Sequence, residues 1–158
     1  MKNVPAAKVK AELKTRSQQE LLDLLFRLSR FKRENKELLT YLLFDVDDEA
    51  GFIEKIKEEV VEDFSVINTV SYFYIKKSVR KILKNIKKYI RYSRNKETEV
   101  ELLLFFCEEL KSFSPSIKYN PTLTNLYNRQ IEAIKKKVAL LHEDLQYDYE
   151  QELNELVL

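Results

Sequence analysis

One histidine and one cysteine are the only side chains of their kind in the 158 residues, and these types do acid–base or nucleophilic work near neutral pH. His142 has Lys135–Lys137 one to two turns before it and Glu143 and Asp144 after it, so it could act as a proton carrier beside a lysine-held phosphate. A phosphate-cleaving pair of guanidinium and imidazole needs arginine where Lys136 or Lys137 stands. Cys107 sits in the apolar stripe Val100–Leu110, the setting of a small buried hydrophobe. A calcium loop starting at Asp45 needs Gly at its sixth position and Glu at its twelfth, but Ala50 and Ile56 stand there. Glu54, Glu58 and Glu62 share one helix face, yet a di-metal bundle also needs Glu-x-x-His, and Ala139 lies three residues before His142. A single glycine excludes a glycine-rich phosphate loop. The expectation is a non-enzymatic protein with no catalytic residue, no metal site and no cofactor.

Charge is the remaining chemistry, and it is segregated. Tyr72–Lys96 contains ten basic residues and no acid. Within it, Ile75, Val79, Ile82, Ile86 and Tyr89 recur at spacings of four and three, which predicts a long helix with one buried stripe widened by Leu83 and Ile90. Lys76, Lys77, Arg80, Lys81, Lys84, Lys87, Lys88, Arg91 and Arg94 fall on the other side and form the candidate polyanion- or partner-binding surface. Each Lys or Arg that neutralises a phosphate releases condensed counterions. Phe73, Tyr74 and Tyr92 lie off the apolar stripe, where they can stack on unpaired bases. Nine acids in 45–63 and six in 142–158 offer a counter-charge from within the chain. A basic face that is only solvated, or is matched by these acids, is therefore expected ahead of a polyanion site.

The elements that must position these residues read as helices throughout. Pro5 opens a short, weak helix in residues 1–15. Ser17 and Glu20 form a capping box before Leu21–Phe31, Asn35 ends that helix or caps the next, and a third helix covers Lys36–Asp45. Asp47 or Asp48 caps a fourth along Phe52, Ile53, Ile56, Val60 and Phe64, which Gly51 weakens slightly at its start. A break near Asn68 and Thr69 precedes the basic helix, which ends near 93–95. Thr98 and Glu101 read as a second capping box. Residues 112–120 form a loop, and Asn120-Pro121 starts a last helix whose stripe runs Ile131, Ile134, Val138, Leu141 and Leu145, unbroken to Leu156.

Hydrophobic residues at 44%, charged residues at 34%, one Gly and three Pro point to an all-α fold. The chain is long enough for one domain with its own core. The expected organisation is a short N-terminal helix or frayed segment in 1–16 and a single helical domain in 17–158. That domain is an antiparallel bundle of five to six helices, or a short α-α repeat array. The repeat alternative rests on the similarity of residues 33–37 to 94–97, each leading into a Leu-rich helix. The last helix, longer than a compact domain needs, is expected to project and to support a homodimer. A lone cysteine and the lack of an apolar leader or membrane span suggest a cytoplasmic protein. The function expected first is a protein-interaction or scaffold module, self-associating, with no membrane partner. The alternative is nucleic-acid binding through residues 72–94.

Overall fold

A computed structural model describes all residues, 1–158, and contains helices and turns with no strand. Eight α-helices follow one another: α1 (Ala6–Lys14), α2 (Gln18–Phe31), α3 (Arg33–Thr40), α4 (Glu49–Ser65), α5 (Tyr72–Ser93), α6 (Lys96–Ser112), α7 (Pro121–Val138) and α8 (Glu143–Glu155). A π-turn over Tyr41–Asp45 continues α3, and a 3-10 turn covers Ile117–Tyr119. The all-helical expectation holds, but the helices number eight rather than five or six. The chain packs as two compact units, 1–44 and 45–158, and the boundary expected at residue 16 falls inside the first.

In the first unit, α2 packs against α3. Ser17 Oγ accepts from the Glu20 amide at 3.2 Å, so the expected cap forms. Asn35 reaches back, donating to the Leu28 carbonyl at 2.8 Å and satisfying one of the acceptors left open at the end of α2. Only Ser29 and Tyr41 are buried among these 44 residues.

In the second unit, α6 is the central helix, with α4, α5 and α7 packed on it and α8 against α7. Its buried set runs nearly all round, from Val100 through Leu102, Leu103, Leu104, Phe106 and Cys107 to Leu110, as a helix enclosed by others requires. The basic helix α5 is therefore a flank of the core. Its stripe of Ile75, Val79, Ile82, Leu83 and Ile86 is buried as expected. Asp48 caps α4 by accepting from the Gly51 amide at 3.0 Å. A Cβ on Gly51 would stand 2.2 Å from Asp48 Oδ2, so this glycine leaves room for the cap.

Two boundaries differ from expectation. Asn95, not Thr98, caps α6, accepting from the Glu97 and Thr98 amides at 2.9 and 3.2 Å, and Thr98 is buried in the first turn. The last helix is not continuous. Backbone bonds from Leu140 to Lys137 and from Leu141 to Val138 close α7 with tight turns, and His142 Nδ1 accepts from the Asp144 amide at 3.3 Å to cap α8. The reason is electrostatic as well as local. Lys135–Lys137 suit the negative end of α7, and Glu143 and Asp144 the positive start of α8. α8 folds back: Leu153 and Leu156 are buried, and Tyr127 Oη donates to the Leu156 carbonyl at 2.5 Å. The expected projecting end does not exist.

Candidate polyanion-binding face

The twenty-two residues of α5 present their cations in rows. Lys77, Arg80, Lys84, Lys87, Arg91 and Arg94 follow at spacings of three and four, so they line one face over roughly 26 Å. All six are exposed, as is Lys81, while Lys76 and Lys88 are half-buried. Arg94 closes the helix in a left-handed conformation at φ 57°, its amide donating to the Ile90 carbonyl at 2.9 Å. Phe73 heads the same row four residues before Lys77, 67% exposed, with Tyr74 edge-on to it at 5.3 Å. Tyr92 lies apart from this pair, half-buried and edge-on to Tyr89 at 6.0 Å.

Three of the acids in 45–63 are held by groups other than the exposed cations of α5. Asp45 holds Lys55 at 2.7 Å, and Glu54 and Glu101 hold Lys57 at 3.5 and 2.8 Å. Both Glu59 oxygens accept from Tyr89 Oη, at 3.0 and 2.9 Å. Lys88 is also engaged, its ammonium 4.7 Å from the Tyr89 ring centroid. The other eight candidate cations form no ion pair with any acid of the chain. The acids of α6 and α8 instead crowd one another. Burial, then the charges of Glu108 and Glu101, raises Glu152 above the ordinary carboxylate value. Burial also raises Glu108, Glu109 and Glu155 adding to it against the opposing pull of Lys57. The row of six cations along α5 is exposed to solvent.

Beside the cationic row lies a groove of about 640 Å³. Arg80, Lys84, Lys87 and Arg91 of α5 form one side, Leu83, Ile90 and Leu103 supply apolar surface, and Gln130 and Ala133 of α7 stand on the other side. Glu99 also lines it, with its charge held by Lys137 at 3.0 Å. Gln130 is 6% exposed, and its Oε1 has no hydrogen-bond partner. A buried amide oxygen left unpaired is costly. The sequence reading missed Gln130. Its signal was a polar residue inside the core register, between Tyr127 and Ile131 of α7.

These groups can attract, neutralise and orient an anion. The two residues first considered for catalysis stand apart from them. His142 is the cap of α8, and Cys107 is fully enclosed, its thiol pushed up to about 12 by burial and then by Glu108. No group of three or more metal-ligating side chains comes together, and no helix is long and apolar enough to cross a membrane. No protein-family model matches the chain, and neither a curated protein nor a solved structure matches it significantly.

Proposed function

We propose that the 45–158 unit binds single-stranded nucleic acid along α5. The observation that carries this reading is the row of six exposed cations without acidic partners, headed by exposed Phe73. Phosphates would follow the row, a base would stack on Phe73 or Tyr74, and the groove with Gln130 would take the edge of another. Lys77, Arg80, Lys84, Lys87, Arg91 and Arg94 carry the phosphate contacts, and Lys76 and Lys81 widen the field around them. The scaffold function expected first rested on segregated charges and a long final helix, and that helix ends at Val138.

Fluorescence anisotropy of a labelled single-stranded oligonucleotide tests it. Six neutralised phosphates should give a log–log salt slope of roughly −4. Replacing Arg80, Lys84, Lys87 and Arg91 by Gln should weaken binding and flatten that slope while leaving helix content unchanged. Binding undetectable at about 50 mM salt ends the proposal.

A further inference from the structure

The first unit raises a separate question, since it exposes the apolar side chains that a helical hairpin ordinarily buries. Leu28 is 59% and Phe31 77% exposed, with Leu24 and Leu25 also open. A unit of 44 residues that buries only Ser29 and Tyr41 lies in the size range where association supplies what the core does not.

The polar residues beside these leucines specify the partner. Glu20, Asp23, Arg27 and Arg30 recur at spacings of three and four and share one face of α2, next to Leu24 and Phe31. Acids occupy the N-terminal half of this row and arginines the C-terminal half. They are symmetric about Leu25: Glu20 and Arg30 stand five residues to either side of it, and Asp23 and Arg27 two. Within the chain they do not pair with one another. Asp23 accepts from Gln19 at 3.0 Å, Glu20 meets only Arg16 at 3.8 Å, and Arg30 lies over the Phe26 ring at 5.5 Å. Arg27 has no acidic partner, although Asp23 lies four residues before it.

We propose that α2 pairs antiparallel with α2 of a second copy of this chain, about a two-fold axis at Leu25. That axis sets Glu20 against Arg30 of the partner subunit, and Asp23 against Arg27 of the partner subunit, twice over. The axis passes level with Leu25, whose side chain lies on the far side of α2 toward Leu38, Leu39 and Leu42 of α3, and the pairing buries Leu24, Leu28 and Phe31, the apolar side chains nearer the charge row. A two-fold interface must be self-complementary, and this charge row is. A parallel pairing would place acid on acid and arginine on arginine, so the charges also select the direction. The proposal is independent of the nucleic-acid reading, which rests on the other unit.

Sedimentation equilibrium of the full chain is the test. Wild type should have twice the chain's 18.9 kDa at micromolar concentration. The Glu20→Arg/Asp23→Arg variant alone and the Arg27→Glu/Arg30→Glu variant alone should each be monomeric, because every cross-axis pair becomes like-charged. An equimolar mixture of the two should restore the doubled mass. So should the variant carrying all four substitutions, which rebuilds the symmetric row with its signs exchanged. The four side chains are exposed, so circular dichroism should show unchanged helix content in each variant. A monomeric wild type overturns the proposal. A doubled mass retained by both two-site variants, or a mixture and four-site variant that stay monomeric, also overturns it.

Discussion

Thr98 at the first turn of α6 donates its hydroxyl hydrogen to Glu49 Oε1 at the first turn of α4, 2.7 Å away. The same carboxylate oxygen accepts from Ser93 Oγ at the end of α5, so one residue ties together the ends of three helices. The acid also lies where the dipole of α4 favours negative charge. Glu49→Ala should therefore cost about 1–3 kcal/mol, because it strands two hydroxyls, one of them on buried Thr98. Thr98→Val removes donor and bond together and should cost less, about 0.5–1.5 kcal/mol. Urea denaturation would check the order. A larger loss in Thr98→Val than in Glu49→Ala would show that Glu49 is not the tie.

Ile82 is 4% exposed in the middle of the α5 stripe. Ile82→Ala should cost about 2–5 kcal/mol, a large share of the stability of a single domain. A thermal melt within a degree or two of wild type would remove α5 from the core.

Local signals carried most of the helix assignments. Ser17, Asp48 and the Asn120-Pro121 pair each cap the helix that the sequence places after them, because a cap is a bond between neighbours. The break after Val138 was less visible, since the apolar repeat continues through Leu141 and Leu145 as though one helix ran on. The switch from Lys135–Lys137 to Glu143-Asp144 marked it, and it outweighs the repeat where two short helices can pack back on each other. Thr98 misled for the opposite reason. It fits a capping box in sequence, but Asn95 stands one turn earlier with the better geometry, and burial claims the threonine. The cationic row was legible because it depends on spacing alone. Its openness was not, because which acid meets which lysine is decided by tertiary packing. Gln130 acquires its meaning only once α5 and α7 face each other across α6.

Burial, together with neighbouring acids, lifts both Glu108 and Glu152 above the ordinary carboxylate range. A carboxyl with a raised value in the folded state binds its proton more tightly there than in the unfolded chain. Its charged form therefore weakens the fold near neutral pH, and that penalty fades as pH falls through the raised value toward the unfolded one. Glu152→Gln should raise the melting temperature at about pH 7, within the ~0–1 kcal/mol range of solvent-screened charges. The advantage over wild type should shrink by about pH 5. Comparing melts of the two proteins at both pH values isolates this group from the other carboxylates. A variant less stable at neutral pH, or an advantage independent of pH, would contradict the crowding of α6 and α8 acids.

The return of α8 onto the second unit depends on a few buried groups. Tyr127, 1% exposed on α7, donates to the Leu156 carbonyl at 2.5 Å, and Lys111 Nζ donates to the Glu155 carbonyl at 2.6 Å. Both acceptors lie at the C-terminal end of α8, where carbonyls lack partners within the helix. Tyr127→Phe keeps the ring in place but leaves the Leu156 carbonyl unpaired, so it should cost about 1–3 kcal/mol. Lys111→Met should cost less, because its bond is solvent-exposed. The effect should also be local. Hydrogen exchange in Tyr127→Phe should speed up in residues 143–158 more than in α4 or α6, because the last helix opens before the core does. Equal acceleration across α4, α6 and α8 would mean that α8 is part of the cooperative core rather than a docked end.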